Sequence, residues 1–336
     1  MKKIVVYDIA ASQGGGGESI LNQYLEQARK ASQIEWWFFV SIDGYERREA
    51  KNIHVVFVNI KRNSMFKTYL SRIRYELFEC KYLVKKINPD EIISLQNMIV
   101  PGMTCKQTVY LHQCLEFSPV KYRFVKKEEQ ALAFRQRIIC PIIKKSLRKA
   151  DKVIVQSNWM REKVAEWAGY PTDKIAVETP QAIFPMGLKH IEPQKRVFIY
   201  PANAYLYKNH QVIVEACKIL KNWGYKDYRI LLTLSTEKIK IYEKLWNEIE
   251  REKLPIECIG HLAKDSLFEK YQECVMLFPS YCETFGLPML EAKQVGGRII
   301  ASDMLFSHEI LDGYDKATFV EYNNAIGWAE AIKKYI

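Results

Sequence analysis

Residues 178–193 read ETPQAIFPMGLKHIEP, with three prolines, one glycine and no hydrophobic period, and this break decides the fold. On its N-terminal side, β-branched and aromatic runs recur as IVVYDIA (4–10), EWWFFVSI (35–42), IHVVFVNI (53–60), EIISLQ (91–96), QTVYLHQ (107–113) and KVIVQS (152–157). On its C-terminal side the pattern restarts with RVFIYPA (196–202), RILLTLS (229–235), PIECIG (255–260), CVMLFPS (274–280), RIIAS (298–302) and ATFVE (317–321). Segments of helical period lie between most of these runs, as with Phe66, Leu70, Ile73, Leu77 and Val84 in a helix over 64–86. Strand and helix in alternation predict a parallel sheet covered by helices on both faces. The expectation is therefore an α/β chain of two Rossmann-like domains, 1–180 and 195–336, joined by a linker at 181–194.

Composition agrees with two cores and narrows the function classes. The 336 residues are 48% hydrophobic, ample for two domains of ordinary size. The N-terminal apolar run is stopped by Asp8, too early for a signal segment or a membrane span, so a cytoplasmic protein is expected. Eight cysteines, at 80, 105, 114, 140, 217, 258, 274 and 282, form no CxxC pair and no zinc-spaced cluster with histidine, which predicts reduced core residues. Cys282 falls in a suggestive loop, and a packing role is preferred to a catalytic thiol. Residues 51–150 carry twenty Lys and Arg against seven Asp and Glu, more than the whole chain's net +11. An excess confined to one region points to a localised anionic partner.

Ligands of open α/β sheets bind beyond the carboxyl ends of the strands, so the loops there are the places to look. SQGGGGES (12–19) follows the first strand and opens a helix, letting the backbone approach an anion at a helix N-terminus. It is not the GxGxxG dinucleotide fingerprint. His112 ends the strand 107–113. In PANAYLYKNH (201–210), Lys208 stands at a helix entrance, where a cation is unfavourable unless an anion lies between it and the helix dipole. His261 follows the strand 255–260 as a wall of the cleft at most. Finally PSYCETFGLPMLEA (279–292) carries Glu283 in a loop and Glu291 in the first turn of a helix that Pro288 opens.

With PSYCETFGLPMLEA in place, the chain resembles the retaining glycosyltransferase family 4, whose E-x7-E signature Glu283 and Glu291 match. Supporting stretches are the glycines at 14–17, ADKVIVQSNWMREKV (150–164), KNHQVIVEA (208–216) and GGRIIASD (296–303). The resemblance implies a GT-B fold, two Rossmann-like domains facing each other across a cleft. It implies that Glu291 binds the donor ribose, that Glu283 and His112 flank the transferred sugar, and that Lys208 neutralises the leaving diphosphate. Gly15 and Gly16 would approach the same phosphates. Thr284, Phe285, Gly286 and Leu287 would line the donor site, the last three through their amides, with Asn203 and His261 beside them. One departure stands out: the family usually has an Arg shortly before the Lys, and this chain has Asn203 there. Arg298 or another cation would have to supply the missing charge.

No DxD sequence occurs, so transfer without a metal or other cofactor is expected, and the resemblance implies front-face chemistry that retains configuration. The partners implied are a nucleotide-diphosphate sugar and a glycan or lipid-linked acceptor, as in surface polysaccharide biosynthesis. Lys67, Arg74, Lys81 and Lys85 form a cationic stripe suited to an anionic bilayer or an acceptor, placing the protein on the inner face of the cell membrane. The competing reading is a basic membrane- or nucleic-acid-binding protein with a degenerate sugar-nucleotide cleft, although no nucleic-acid module is recognisable.

Overall fold

The computed structural model describes residues 1–9, 11, 16–60, 75–182, 184–185, 191, 194, 196–235 and 242–336. By their contacts the residues fall into two compact units. One comprises Met1–Glu116, Tyr122–Phe124 and Gln130–Glu178, and the other Phe117–Lys121, Val125–Glu129 and Thr179–Ile336. Most of the segment 181–194 lies outside the described residues.

The first unit holds a sheet of β1 (Lys2–Asp8), β2 (Ile34–Val40), β3 (Ile53–Phe57), β4 (Glu91–Ser94), β5 (Lys106–Tyr110), β6 (Lys152–Val155) and β7 (Ile175–Val177). Their order is β3-β2-β1-β4-β5-β6-β7, and every pairing is parallel. Six of these strands coincide with the runs read from the sequence. The seventh has three residues, too few for a hydrophobic pattern to register. Successive β1 side chains point to opposite faces, and both faces are buried, as a parallel sheet requires. Ile4 and Val6 pack with Leu21, Leu25 and Ala28 of α1 (Gly16–Lys30). Val5 and Tyr7 pack on the other face with Phe39, Cys80, Val84 and Ile92.

The helix expected over 64–86 is described only from Tyr75. A π-helical turn, Tyr75–Cys80, leads into α2 (Lys81–Ile87), which buries Val84. Phe66, Leu70, Ile73, Lys67 and Arg74 lie outside the described residues. A longer helical run follows β5: α3 (Gln130–Phe134), a π-helical turn (Arg135–Ile139) and α4 (Cys140–Leu147). Pro141 explains the wide turn, because it lacks an N–H and its ring pushes away the carbonyl one turn earlier. The unit is completed by α5 (Asn158–Ala168), which Gly169 ends in the left-handed region at φ 62°.

The second unit repeats the design with β8 (Val197–Tyr200), β9 (Arg229–Leu232), β10 (Ile256–Cys258), β11 (Val275–Phe278), β12 (Arg298–Ser302) and β13 (Ala317–Val320). Their order is β10-β9-β8-β11-β12-β13, again all parallel. Helices α6 (His210–Asn222), α7 (Glu243–Glu252), α8 (Lys264–Glu273), α9 (Leu287–Gln294), α10 (Leu305–Leu311) and α11 (Ala325–Lys333) surround it. In α6, Val212, Ile213, Ala216, Cys217 and Leu220 form the buried stripe. In both sheets the chain reverses its direction of travel beside the first strand, between β1 and β4 and between β8 and β11. Such switch points open a crevice at the carboxyl ends of the strands. None of the eight cysteines is in a disulfide, with Cys105 and Cys258 half-buried and the rest buried, Cys282 among them. No helix among the described residues is long and apolar enough to cross a membrane.

Candidate functional site

The best-built site lies at the switch point of the second sheet. Beyond β8 the chain makes a short turn, Leu206–Lys208, and Asn209 then takes the left-handed conformation (φ 57°, ψ 38°) before α6 begins. Asparagine tolerates that region better than most residues. Its side-chain amide donates to the Pro279 carbonyl (3.2 Å) and the Tyr322 carbonyl (2.7 Å), tying the turn to the loops after β11 and β13. The Tyr200 hydroxyl donates to the Lys208 carbonyl (2.7 Å), and Ser280 Oγ and the Tyr281 N–H both donate to the Tyr207 carbonyl (3.1 Å each). The two loops are thereby held as one body.

Within that body, Lys208 Nζ pairs with Glu283 Oε1. Their side chains are 17% and 15% exposed, so this is not one of the fully solvated pairs that contribute little. The ammonium also stands 5.7 Å from the Tyr207 ring centre and 6.0 Å from that of Phe278. The sequence placed an anion opposite Lys208, and in this structure the chain's own Glu283 takes that place. Behind the lysine, His210 is buried with Nδ1 2.9 Å from the Tyr242 hydroxyl, which itself donates to the Tyr205 carbonyl (2.7 Å). Burial and, less so, the Lys208 charge push its imidazole down to about 3. It is neutral at physiological pH and adds no charge to the site.

Glu291 is positioned differently from expectation. Gly286, at φ 96°, precedes the helix, and α9 starts at Leu287, so Glu291 is the fifth helical residue and belongs to the second turn, not the first. It is buried, and its Oε2 accepts from the Tyr271 hydroxyl of α8 (3.1 Å). Burial raises its carboxyl above the ordinary range, opposed by the Tyr271 hydrogen bond and the Lys264 charge. Gly286 is favoured by its backbone, because its φ disfavours any side chain, whereas the Met289 Cε that a Cβ would meet at 2.7 Å is the flexible end of a side chain and can move. Phe285 is buried, while Thr284 and Leu287 are half-buried.

Asn203 and His261 are exposed in the loops after β8 and β10. Arg298 does not supply the missing charge. It begins β12, in register with Val275 at the start of β11, so it lies at the opposite end of the sheet from the Glu283 loop, with its guanidinium 5.8 Å from the Tyr335 ring centre.

In the first unit, Gly15 lies outside the described residues and Gly16 is the first residue of α1. Asp8, which the sequence did not single out, ends β1 as a buried acid whose Oδ1 accepts from the Ala11 N–H (2.8 Å). His112 lies two residues past β5. Its ring stacks on Tyr110 at 4.4 Å and its N–H donates to Asn97 Oδ1 (2.6 Å). Its Nε2 is buried without a hydrogen-bond partner, and burial pushes the imidazole down to about 4 against an opposing hydrogen bond to the Leu95 backbone. Lys81 and Lys85 are exposed on α2.

Glu116 is a further buried acid. Burial pushes it up to about 7, opposed by hydrogen bonds that include those from Cys140 and Gln113 and by the Arg135 charge. A folded-state value above the ordinary 4.5 means the native protein holds the proton more tightly, so stability falls as pH rises from about 4.5 to about 7. The difference amounts to about 3 kcal/mol at pH 8. Glu116→Gln should flatten that slope in urea titrations and raise the midpoint at pH 8. An unchanged midpoint there would show that the ionised acid is not strained.

Residues 189–336 match the model of the family described as glycosyl transferases group 1. Over 186 residues the chain is 25% identical to the serotype-specific mannosyltransferase WbdA of Escherichia coli, covering 51% of this chain and 23% of that protein. The chain thus spans about a quarter of the length of that relative. Sucrose-phosphate synthase from Thermosynechococcus elongatus superposes with a TM-score of 0.71 at 16% identity, covering 99% of this chain and 89% of that one. HepE from Anabaena, in complex with UDP-glucose, gives 0.69 at 14% identity over 99% and 89%. The chain has the two-domain α/β fold of the GT-B glycosyltransferases, and its C-terminal 189–336 match the group 1 glycosyl transferase model.

Proposed function

We propose that the protein is a retaining glycosyltransferase that moves a sugar from a nucleotide-diphosphate donor to a glycan or lipid-linked acceptor in surface polysaccharide synthesis. The observation that carries this reading is the half-buried Lys208–Glu283 pair at the β8/β11 switch point, beside a helix opened by a left-handed glycine. On donor binding, Lys208 exchanges Glu283 for the leaving diphosphate, where negative charge grows in the transition state. Glu283, released from the lysine, is then free to hold hydroxyls of the transferred sugar. The amides of Phe285, Gly286 and Leu287 face the phosphates at the α9 N-terminus, and Glu291 accepts from the ribose hydroxyls. Asn203 adds no charge, so the positive charge on the diphosphate rests on Lys208. His112, neutral at physiological pH, is a hydrogen-bonding partner for the sugar rather than a cation. We place the enzyme on the inner face of the cell membrane and assign it no metal.

The test is incubation with UDP-, GDP- and ADP-sugars, with and without chelator, following nucleoside diphosphate release and the anomeric configuration of the product by proton NMR. One donor class should turn over with retained configuration and no loss in chelator. An inverted product removes the retaining assignment, and chelator-sensitive turnover removes metal independence. The binding-protein reading draws on Asn203, and it gains if no nucleoside diphosphate binds while anionic vesicles do.

A further inference from the structure

The first unit contains a cavity of about 890 Å³ that the glycosyl-transfer reading does not use. Parallel neighbours such as β4 and β5 are ordinarily joined by a crossover helix. Here residues 95–105 connect them without one, and the cavity lies between that connection and the helical run 130–147. Met98, Ile99 and Met103 form one wall, and Ile139 and Ile143 another.

Several polar groups on the lining are engaged within the protein. Gln107 exchanges two hydrogen bonds with the Val100 backbone (2.8 and 3.2 Å), Ser146 Oγ accepts from the Ile99 N–H (2.8 Å), and Asp151 Oδ2 accepts from the Gln107 N–H (2.8 Å). Much of what remains for a ligand is hydrocarbon surface. Arg135, Lys145 and Lys149 also line the cavity and are exposed. Neither lysine forms an ion pair with a described residue, while Arg135 interacts with Glu116 and Cys140. Ile138 and Ile142, 46% and 50% exposed, sit on the same helical run.

We propose that this cavity receives a hydrocarbon chain of an anionic membrane lipid, whose phosphate is held by Arg135, Lys145 and Lys149. The volume lies within the range of about 300–1,000 Å³ typical of small-molecule sites. A free phosphate would leave the apolar walls unfilled, and a neutral lipid would leave Lys145 and Lys149 without an ion-pair partner among the described residues. A nucleobase or peptide would find few unpaired polar groups to recognise it. The exposed Ile138 and Ile142 can enter the interfacial layer as the cations meet headgroups. The assignment stands on the first unit alone and does not require that the protein transfer sugars.

The test uses the full chain, flotation with phosphatidylcholine vesicles with and without phosphatidylglycerol, and thermal shifts with dodecyl phosphate, dodecyl maltoside and inorganic phosphate. The expected result is binding to the phosphatidylglycerol vesicles that falls at least about tenfold in Lys145→Glu/Lys149→Glu. Dodecyl phosphate should raise the melting temperature more than either other probe. Thr104→Trp places an indole on the cavity lining from an exposed position and should abolish that shift, and Ile142→Glu should weaken flotation. Equal binding to both vesicle types, an inorganic phosphate shift as large as that of dodecyl phosphate, or a full dodecyl phosphate shift in Thr104→Trp would each overturn the proposal. Nucleoside diphosphate binding, measured on the same variants, should be unchanged, which separates failure here from failure of the glycosyltransferase reading.

Discussion

Lys208→Ala should lower kcat/KM for the nucleotide-sugar donor by at least about 10²- to 10³-fold, the cost of removing one preorganised group that stabilises developing charge. None of Asn203, His210 and Arg298 compensates. Asn203 is neutral, His210 is held uncharged behind the lysine, and Arg298 is at the far end of the sheet. The substitution also leaves Glu283, whose side chain is 15% exposed, without its partner, so a loss of stability accompanies the loss of activity. The two effects separate in Lys208→Ala/Glu283→Gln, which should recover melting temperature without recovering turnover. Activity within a few-fold of wild type in the single variant would remove Lys208 from the mechanism.

Glu291→Gln should raise KM for the donor by about 10- to 150-fold, the range that corresponds to losing a charged hydrogen bond of about 1.5–3 kcal/mol. The same change should not destabilise the protein. Because burial raises this carboxyl, its ionisation opposes folding above the folded-state value, and that opposition fades as pH falls toward the ordinary carboxylate range. Glutamine removes the charge while still accepting from Tyr271, so at pH 8 the variant should melt at or above the wild-type temperature. A variant that melts lower, with donor KM unchanged, would mean that Glu291 serves packing alone.

Much of the fold is legible in the sequence because parallel strands buried on both faces leave continuous β-branched and aromatic runs. IVVYDIA and CVMLFPS are of this kind, and they mark β1 and β11. The third residue of β7 is also its last, so no pattern could reveal it. At the site, Gly286 and Pro288 announce the start of a helix, and Lys208 at a helix entrance announces an anion. What the sequence does not reveal is long-range pairing. Nothing local indicates that Asn209 holds Pro279 and Tyr322, that Tyr271 on α8 bonds Glu291, or that Lys208 meets Glu283 across 75 residues. Glu291 falls in the second turn rather than the first because the helix already begins at Leu287, one residue before Pro288, a boundary that the spacing of two acids does not carry.

The central claim is that the β8/β11 switch point binds a diphosphate through Lys208. Calorimetric titration of UDP, GDP and ADP, each against its monophosphate, into the wild-type chain and into Lys208→Ala tests it most directly. One diphosphate should bind the wild type at least about tenfold more tightly than its monophosphate, a difference of about 1.4 kcal/mol, and the gap should close in the variant. Equal affinity for mono- and diphosphate in the wild type, or a gap that survives the loss of Lys208, would contradict it.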